Sequence, residues 1–167
     1  MTHAIPLTQG LVALVDADDY DMLMQWKWAA AKRRPNEFCA TRSEPRIDGR
    51  QDTVYMHRVI MGEPIGLVID HINHDTLDNR RANLRACTHA ENQRNRRSVP
   101  NTTSKYLGVC WYKQTGKWRA QIKSNGKKIG LGYFSNEADA AIAYNDAAKL
   151  YHGEFANLNS INQELTA

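Results

Sequence analysis

The chain has 167 residues, 42% of them hydrophobic, a formal net charge of +4 and a mean hydropathy of −0.61. That length suits one domain or two small ones, and with no run of about 18 apolar residues no membrane span is expected. Met1-Thr2-His3-Ala4-Ile5-Pro6 has neither a basic nor an apolar region, and Cys39, Cys87 and Cys110 are odd in number and widely spaced. No secretory signal, disulfide framework or CxxC zinc clamp is expected, which points to a reduced, cytoplasmic protein.

In chain order, residues 5–7 and 11–15 read as a strand pair about Thr8-Gln9-Gly10. Asp16 stands where it can cap a short helix whose apolar face includes Tyr20, Leu23 and Met24. Trp26 and Trp28 alternate about Lys27 as a half-buried strand would. Residues 38–41 and 53–57 read as further strands, with a polar turn at 45–49. The acidic group Asp16, Asp18, Asp19 and Asp21 suits a helix start better than a metal site. Residues 1–53 thus read as a small β-rich region without a catalytic constellation.

Residues 67–71 are a short β-branched run, followed by a polar loop to residue 82 and a second strand at 83–87. Thr88-His89-Ala90-Glu91 is a capping box and predicts a helix from Thr88 through Arg97. Residues 99–104 form a polar linker that begins next to Pro100. Beyond it, strands are expected at 108–112, 117–124 and 127–133. Asn125-Gly126 is a strong hairpin signal between the last two. Residues 136–151 carry alanines and aliphatics at helical spacing.

The densest chemistry lies between residues 70 and 92. Asp70 is a hard oxygen ligand for Mg²⁺ or a similar ion, and Asn92 can add a carboxamide oxygen. Successive strand residues point to opposite faces, so Asp70 and His71 belong at a strand end if they act together. His71 is suited to strip a proton from water near neutral pH. Asn83 can tie the loop back and orient the imidazole. Asp, His and Asn are also ordinary turn residues, so the pattern alone leaves turn chemistry as the alternative.

Charge extends the reading. Residues 92–134 hold ten cations, Arg94, Arg96, Arg97, Lys105, Lys113, Lys117, Arg119, Lys123, Lys127 and Lys128, and neither Asp nor Glu. One sign over so long a stretch is the electrostatic footprint of a nucleic-acid surface.

Tyr55-Met56-His57-Arg58, Val68-Ile69-Asp70-His71-Ile72-Asn73, Asp78-Asn79-Arg80-Arg81-Ala82-Asn83-Leu84-Arg85 and Thr88-x-x-x-Asn92-Gln93 together resemble the HNH endonucleases found as phage and intron-associated homing enzymes. The resemblance implies a ββα-metal core over residues 54–98, with His71 as general base and Asn83 holding the loop. It implies Asp70 and Asn92 as ligands of a divalent ion, Mg²⁺ first and Mn²⁺ second. The family more often has glycine where His74 stands, so the local loop shape is expected to differ.

Tyr106-Leu107-Gly108-Val109, Gly116-Lys117-Trp118-Arg119-Ala120-Gln121-Ile122, Leu131-Gly132-Tyr133-Phe134, the alanine-rich segment from Glu137 to Ala148 and Leu158-Asn159 resemble the ethylene-response-factor (Apetala-two) DNA-binding domain. That resemblance covers residues 105–160 and implies that an exposed sheet face lies in the major groove. Arg119, Gln121, Lys123 and Lys128 would face the bases, with Tyr112 and Lys113 at the rim. Arg94, Arg96 and Arg97 would meet phosphates. Leu107, Cys110 and Gly130 depart from the plant pattern, so its sequence preference is not carried over.

The expectation is therefore an α+β protein: a β-rich start, a ββα nuclease core, and a three-stranded antiparallel sheet packed on one helix. Its expected action is metal-dependent hydrolysis of double-stranded DNA, as a monomer without a protein or membrane partner, inside a bacterial host cell if phage-encoded. A DNA-binding regulator with an inactive nuclease centre is the alternative. An RNA-processing role is disfavoured because the sheet lacks paired stacking aromatics.

Overall fold

A computed structural model describes residues 1–96 and 103–161. Arg97 and the expected linker as far as residue 102 lie outside the described residues. The chain divides into two compact units, Met1–His89 and Ala90–Ala167.

In the first unit, β1 (Thr2–Pro6) and β2 (Val12–Asp16) form an antiparallel hairpin that pairs Ile5 with Ala13. The pleat turns Ile5, Ala13 and Val15 inward. Helix α1 (Ala17–Met24) follows at once and buries Leu23. Asp16 occupies the N-cap position but makes no cap hydrogen bond; its carboxylate accepts from the Arg81 backbone N–H at 2.8 Å. The tryptophans are not a strand. Trp28 is buried, with its indole N–H donating to the Leu23 carbonyl at 2.8 Å, while Trp26 is half exposed beneath the Arg42 guanidinium, 4.2 Å from its ring centroid.

Three antiparallel strands come next, in the order β3 (Ala29–Arg34), β4 (Glu37–Pro45), β5 (Gln51–Tyr55). Strand β3 is made of alanines and cations and has no β-branched residue, so its pairing with β4 creates it. Strand β5 gives way to helix α2 (Met56–Ile60), where Met56, His57 and Ile60 are buried at helical spacing. Strands β6 (Val68–His71) and β7 (Leu84–Cys87) pair antiparallel, with Asp70 opposite Arg85 and His71 opposite Leu84. A single core gathers Ile5, Val15, Leu23, Trp28, Ala40, Met56, Ile60, Ile69 and Leu84. The core therefore runs straight across residue 53, where the sequence suggested a boundary.

Helix α3 (His89–Asn92) spans the border between the units and is shorter than its capping box suggested. It passes into a 3-10 turn at Gln93–Asn95, and Arg96 is extended. Two asparagines and no apolar face leave little to sustain a longer helix. In the second unit, β8 (Val109–Tyr112), β9 (Lys117–Ser124) and β10 (Lys127–Phe134) form an antiparallel sheet in the order β10-β9-β8. Asn125 and Gly126 both take positive φ, 48° and 78°, as a tight hairpin of that twist requires. Helix α4 (Glu137–His152) begins at Asn136, whose side chain accepts from the Ala138 N–H at 2.7 Å. It buries Ala140, Ala141, Tyr144, Ala147 and Ala148, which pack with Val109, Ala120 and Ile122 of the sheet.

Gly108 makes that packing possible. Its φ is +77°, and a Cβ there would sit 2.0 Å from Tyr144 Cδ2 and 2.7 Å from the Gln121 carbonyl oxygen. Gly108→Ala should destabilise the second unit by about 2 kcal/mol or more. A thermal melt followed by the emission of Trp111 and Trp118 checks this, and an unchanged midpoint would show that Tyr144 repacks freely.

Candidate active site

Strand β6 ends on Asp70 and His71, both buried. The register places Arg85 across from Asp70, and the Arg85 Nε and Nη2 donate to Asp70 Oδ2 at 2.9 and 2.7 Å. His71 Nε2 lies 3.3 Å from Asn79 Oδ1. An amide oxygen only accepts, so Nε2 carries the ring proton in this pairing and Nδ1 is the basic nitrogen. Burial holds the His71 pKa below its ordinary 6.5, opposed by the Asn79 hydrogen bond and by Asp70, Asp75 and Asp78. Desolvation wins over three carboxylates, so the imidazole is neutral at pH 7.

The loop between β6 and β7 is stitched from inside. Asn83 Oδ1 accepts from the Asn73 backbone N–H at 2.9 Å, and its Nδ2 donates to the Asp78 carbonyl at 2.7 Å. Asn83 therefore ties the loop, while the imidazole is held by Asn79. Arg80 donates to both Asp78 oxygens, at 2.7 and 2.6 Å, and this lowers the Asp78 pKa. His74 takes φ +64°, in the left-handed region that a glycine adopts without strain. A carboxylate pair outside the loop completes it: Arg81 donates from Nε and Nη2 to the two oxygens of buried Asp19, at 2.9 and 2.6 Å.

Two residues of this centre escaped sequence reasoning. Asn79 lay inside the quoted motif without a role, and its full burial is invisible in a polar run. His57 lay in the Tyr55-Met56-His57-Arg58 segment without a role of its own. It is buried on α2, with its ring edge-on to His71 at a centroid separation of 5.2 Å and an interplanar angle of 85°. Its Nδ1 is buried and finds no hydrogen-bond partner among the described residues. Burial, and then the neighbouring His71, Arg33 and Arg58, push its pKa down to about 3.

For a hard divalent cation the donor chemistry fits. Among the described residues no group of three or more His, Cys, Asp and Glu could hold a metal, but Mg²⁺ does not need one. It is commonly held by one or two carboxylates, with water and substrate phosphate completing the shell. Asp70 offers such a carboxylate, pre-oriented by Arg85. Asn92 closes α3 and falls in the second unit.

On the sheet of the second unit, Arg119, Gln121 and Lys123 alternate along β9 with buried Ala120 and Ile122. Lys128 pairs across from Lys123, and Tyr133 across from Arg119. The Arg119 guanidinium lies 6.0 Å from the Tyr112 ring, which in turn packs on Tyr133 at 5.3 Å. Lys113 sits in the turn after β8. A cleft of about 670 Å³ brings Arg94 and Arg96 together with Gln121, Lys123 and Lys128, and among the described residues no carboxylate lines it.

Comparison with known proteins finds two kinds of relative. The HNH endonuclease family matches residues 54–94. An uncharacterized HNH endonuclease of Acanthamoeba polyphaga mimivirus is 28% identical over 160 residues, 92% of this chain and 78% of that protein. Protein 3.8 of Escherichia phage T7 is 31% identical over 93 residues, 56% of this chain and 76% of its own length. The AP2-like ethylene-responsive transcription factor TOE2 of Arabidopsis thaliana is 36% identical over 69 residues, 41% of this chain. The chain spans only 14% of that plant protein's length. No solved structure matches. With its nuclease motif on β6, β7 and α3 and an AP2-type region towards the C-terminus, the chain carries an HNH endonuclease domain over residues 54–94.

Proposed function

We propose that the chain is a divalent-metal-dependent DNA endonuclease, with His71 as general base, Asp70 and Asn92 as protein ligands of the ion, and Asn83 as the loop tie. The observation that carries this reading is a buried, neutral imidazole at a strand end, next in sequence to a buried carboxylate and held by Asn79 so that Nδ1 is basic. Nδ1 of His71 takes the proton of the attacking water. Burial keeps that nitrogen unprotonated at neutral pH, and the Nε2–H bond to Asn79 fixes the plane of the ring. Arg85 keeps the Asp70 carboxylate in one orientation. The ion, Mg²⁺ with Mn²⁺ as the substitute, supplies Lewis-acid charge at the phosphodiester when bound. Arg94, Arg96 and Arg97 contact phosphates, while Arg119, Gln121, Lys123 and Lys128, rimmed by Tyr112 and Lys113, face base edges.

His71→Ala should lower plasmid nicking by about a hundredfold or more while DNA affinity persists. Because the base must be unprotonated and burial depresses its pKa, kcat/KM should rise with pH through a limb below pH 6.5. A variant as fast as wild type, or a limb above that value, would remove His71 from the role.

Asp70→Ala should abolish nicking and weaken Mg²⁺ binding measured by calorimetry on the protein with a non-hydrolysable DNA. An unchanged ion affinity in that titration would sink Asp70 as a ligand. EDTA should stop the wild-type reaction and excess Mg²⁺ restore it.

Arg119→Ala should cost about 1–3 kcal/mol at the preferred site and relax choice at one base position. Arg96→Ala should weaken binding to all sequences alike and reduce the salt slope by about one. Binding titrations at several salt concentrations distinguish the two. Equal losses on every sequence for both variants would deny the sheet its reading role.

A further inference from the structure

The geometry points to Asn79 as a positioning residue of the nuclease centre, which sets the ring tautomer of His71 and is itself held by the β2–α1 corner. This rests on His71 being the general base.

Asn79 is 0% exposed. Its two amide ends are told apart by their neighbours. Nδ2 donates to the Leu77 carbonyl at 3.3 Å, which turns Oδ1 towards His71 Nε2 at 3.3 Å. An acceptor at that place stabilises the Nε2–H tautomer. The other tautomer would present an N–H to the water, which cannot take a proton. Asn83 cannot replace Asn79, because its side chain is engaged with the Asn73 N–H and the Asp78 carbonyl.

Asn79 is fixed by distant parts of the chain. Its backbone N–H donates to the Leu14 carbonyl at 2.8 Å, and the Leu14 N–H donates to the Leu77 carbonyl at 2.8 Å. The loop is thereby appended to β2 as a short parallel bridge between Leu14 and Asp78. Two residues further on, Arg81 is clamped by Asp16 and Asp19. Residues 12–19 thus have a task in the nuclease centre, although they touch none of its reacting groups.

The test is ring-nitrogen NMR of His71 in the metal-free full chain, with nicking kinetics alongside. Wild type should hold the Nε2–H tautomer. Asn79→Ala should give a tautomer mixture and lower kcat by about tenfold to a hundredfold. KM for DNA should stay within about twofold, because the ring and not the binding surface is disturbed. Asn79→Asp keeps an acceptor and should restore the Nε2–H tautomer. Wild-type His71 protonated on Nδ1 would overturn the proposal without any variant, so a poorly folding Asn79→Ala does not shield it. A folded Asn79→Ala with wild-type tautomer and kcat would overturn it too. His71→Ala nicking at the wild-type rate would overturn the general-base reading instead, and it is read separately from the tautomer.

Discussion

Buried backbone and side-chain polar groups must find partners, and a loop has no ladder to provide them. Between β6 and β7 the chain nevertheless buries Asp78, Asn79 and Asn83. Each of the three is bonded to a neighbour in the loop, to Leu14 or to His71. Leaving one such group unpaired costs about 1–3 kcal/mol, and the groups here are linked, so a single loss strands several. The loop can hold its shape only as a whole, and only against the β2–α1 corner. The end of β6, and with it the spacing of Asp70 and His71, depends on that closure.

Electrostatics at the centre follow from the same burial. Two imidazoles sit edge to face at 5.2 Å with Arg58 and Arg33 nearby. A charge on either ring would be desolvated and repelled, so both are neutral at pH 7. For His71 this outcome suits the proposed role of general base, since a protonated imidazole accepts nothing. For Asp70 the partner Arg85 has another effect. Buried ion pairs contribute little net stability because desolvation offsets the attraction. What Arg85 provides is direction: Nε and Nη2 both hold Oδ2, which fixes the carboxylate plane.

Local signals were legible in the sequence, and long-range polar ones were not. Asn125-Gly126 marked the hairpin and the alternation along residues 117–124 marked β9, because hairpin chemistry and pleat period are local. Asp70 and His71 were placed at a strand end on the period of two alone. Strand β3 was missed because alanine and arginine carry no strand preference, and helix α2 because its single turn looks like more of β5. The Thr88 capping box marked a helix start, but nothing in Asn92 to Asn95 carried the helix on. The Arg81–Asp19 pair joins residues 62 apart, and polar partners at that range leave no periodic trace. For the same reason the acidic group at Asp16 to Asp21 read only as a helix start. His57 carried no signal of its own, because the edge-on approach of its ring to His71 joins α2 to the end of β6 and leaves no local pattern.

The second unit concentrates like charge on one face. Lys123 stands directly opposite Lys128 on neighbouring strands, an arrangement that destabilises a sheet. Arg94 and Arg96 line the same cleft, and among the described residues no carboxylate there offsets them. A sheet facing only solvent would gain from a mixed surface, so the repulsion is a standing cost of the free protein. A polyanion lying along this face removes that cost and releases its own counterions at the same time. Under the proposed DNA-binding role, stability and DNA affinity in this unit would be coupled through the same side chains, and added salt would move them in opposite directions: it screens the repulsion and weakens the grip.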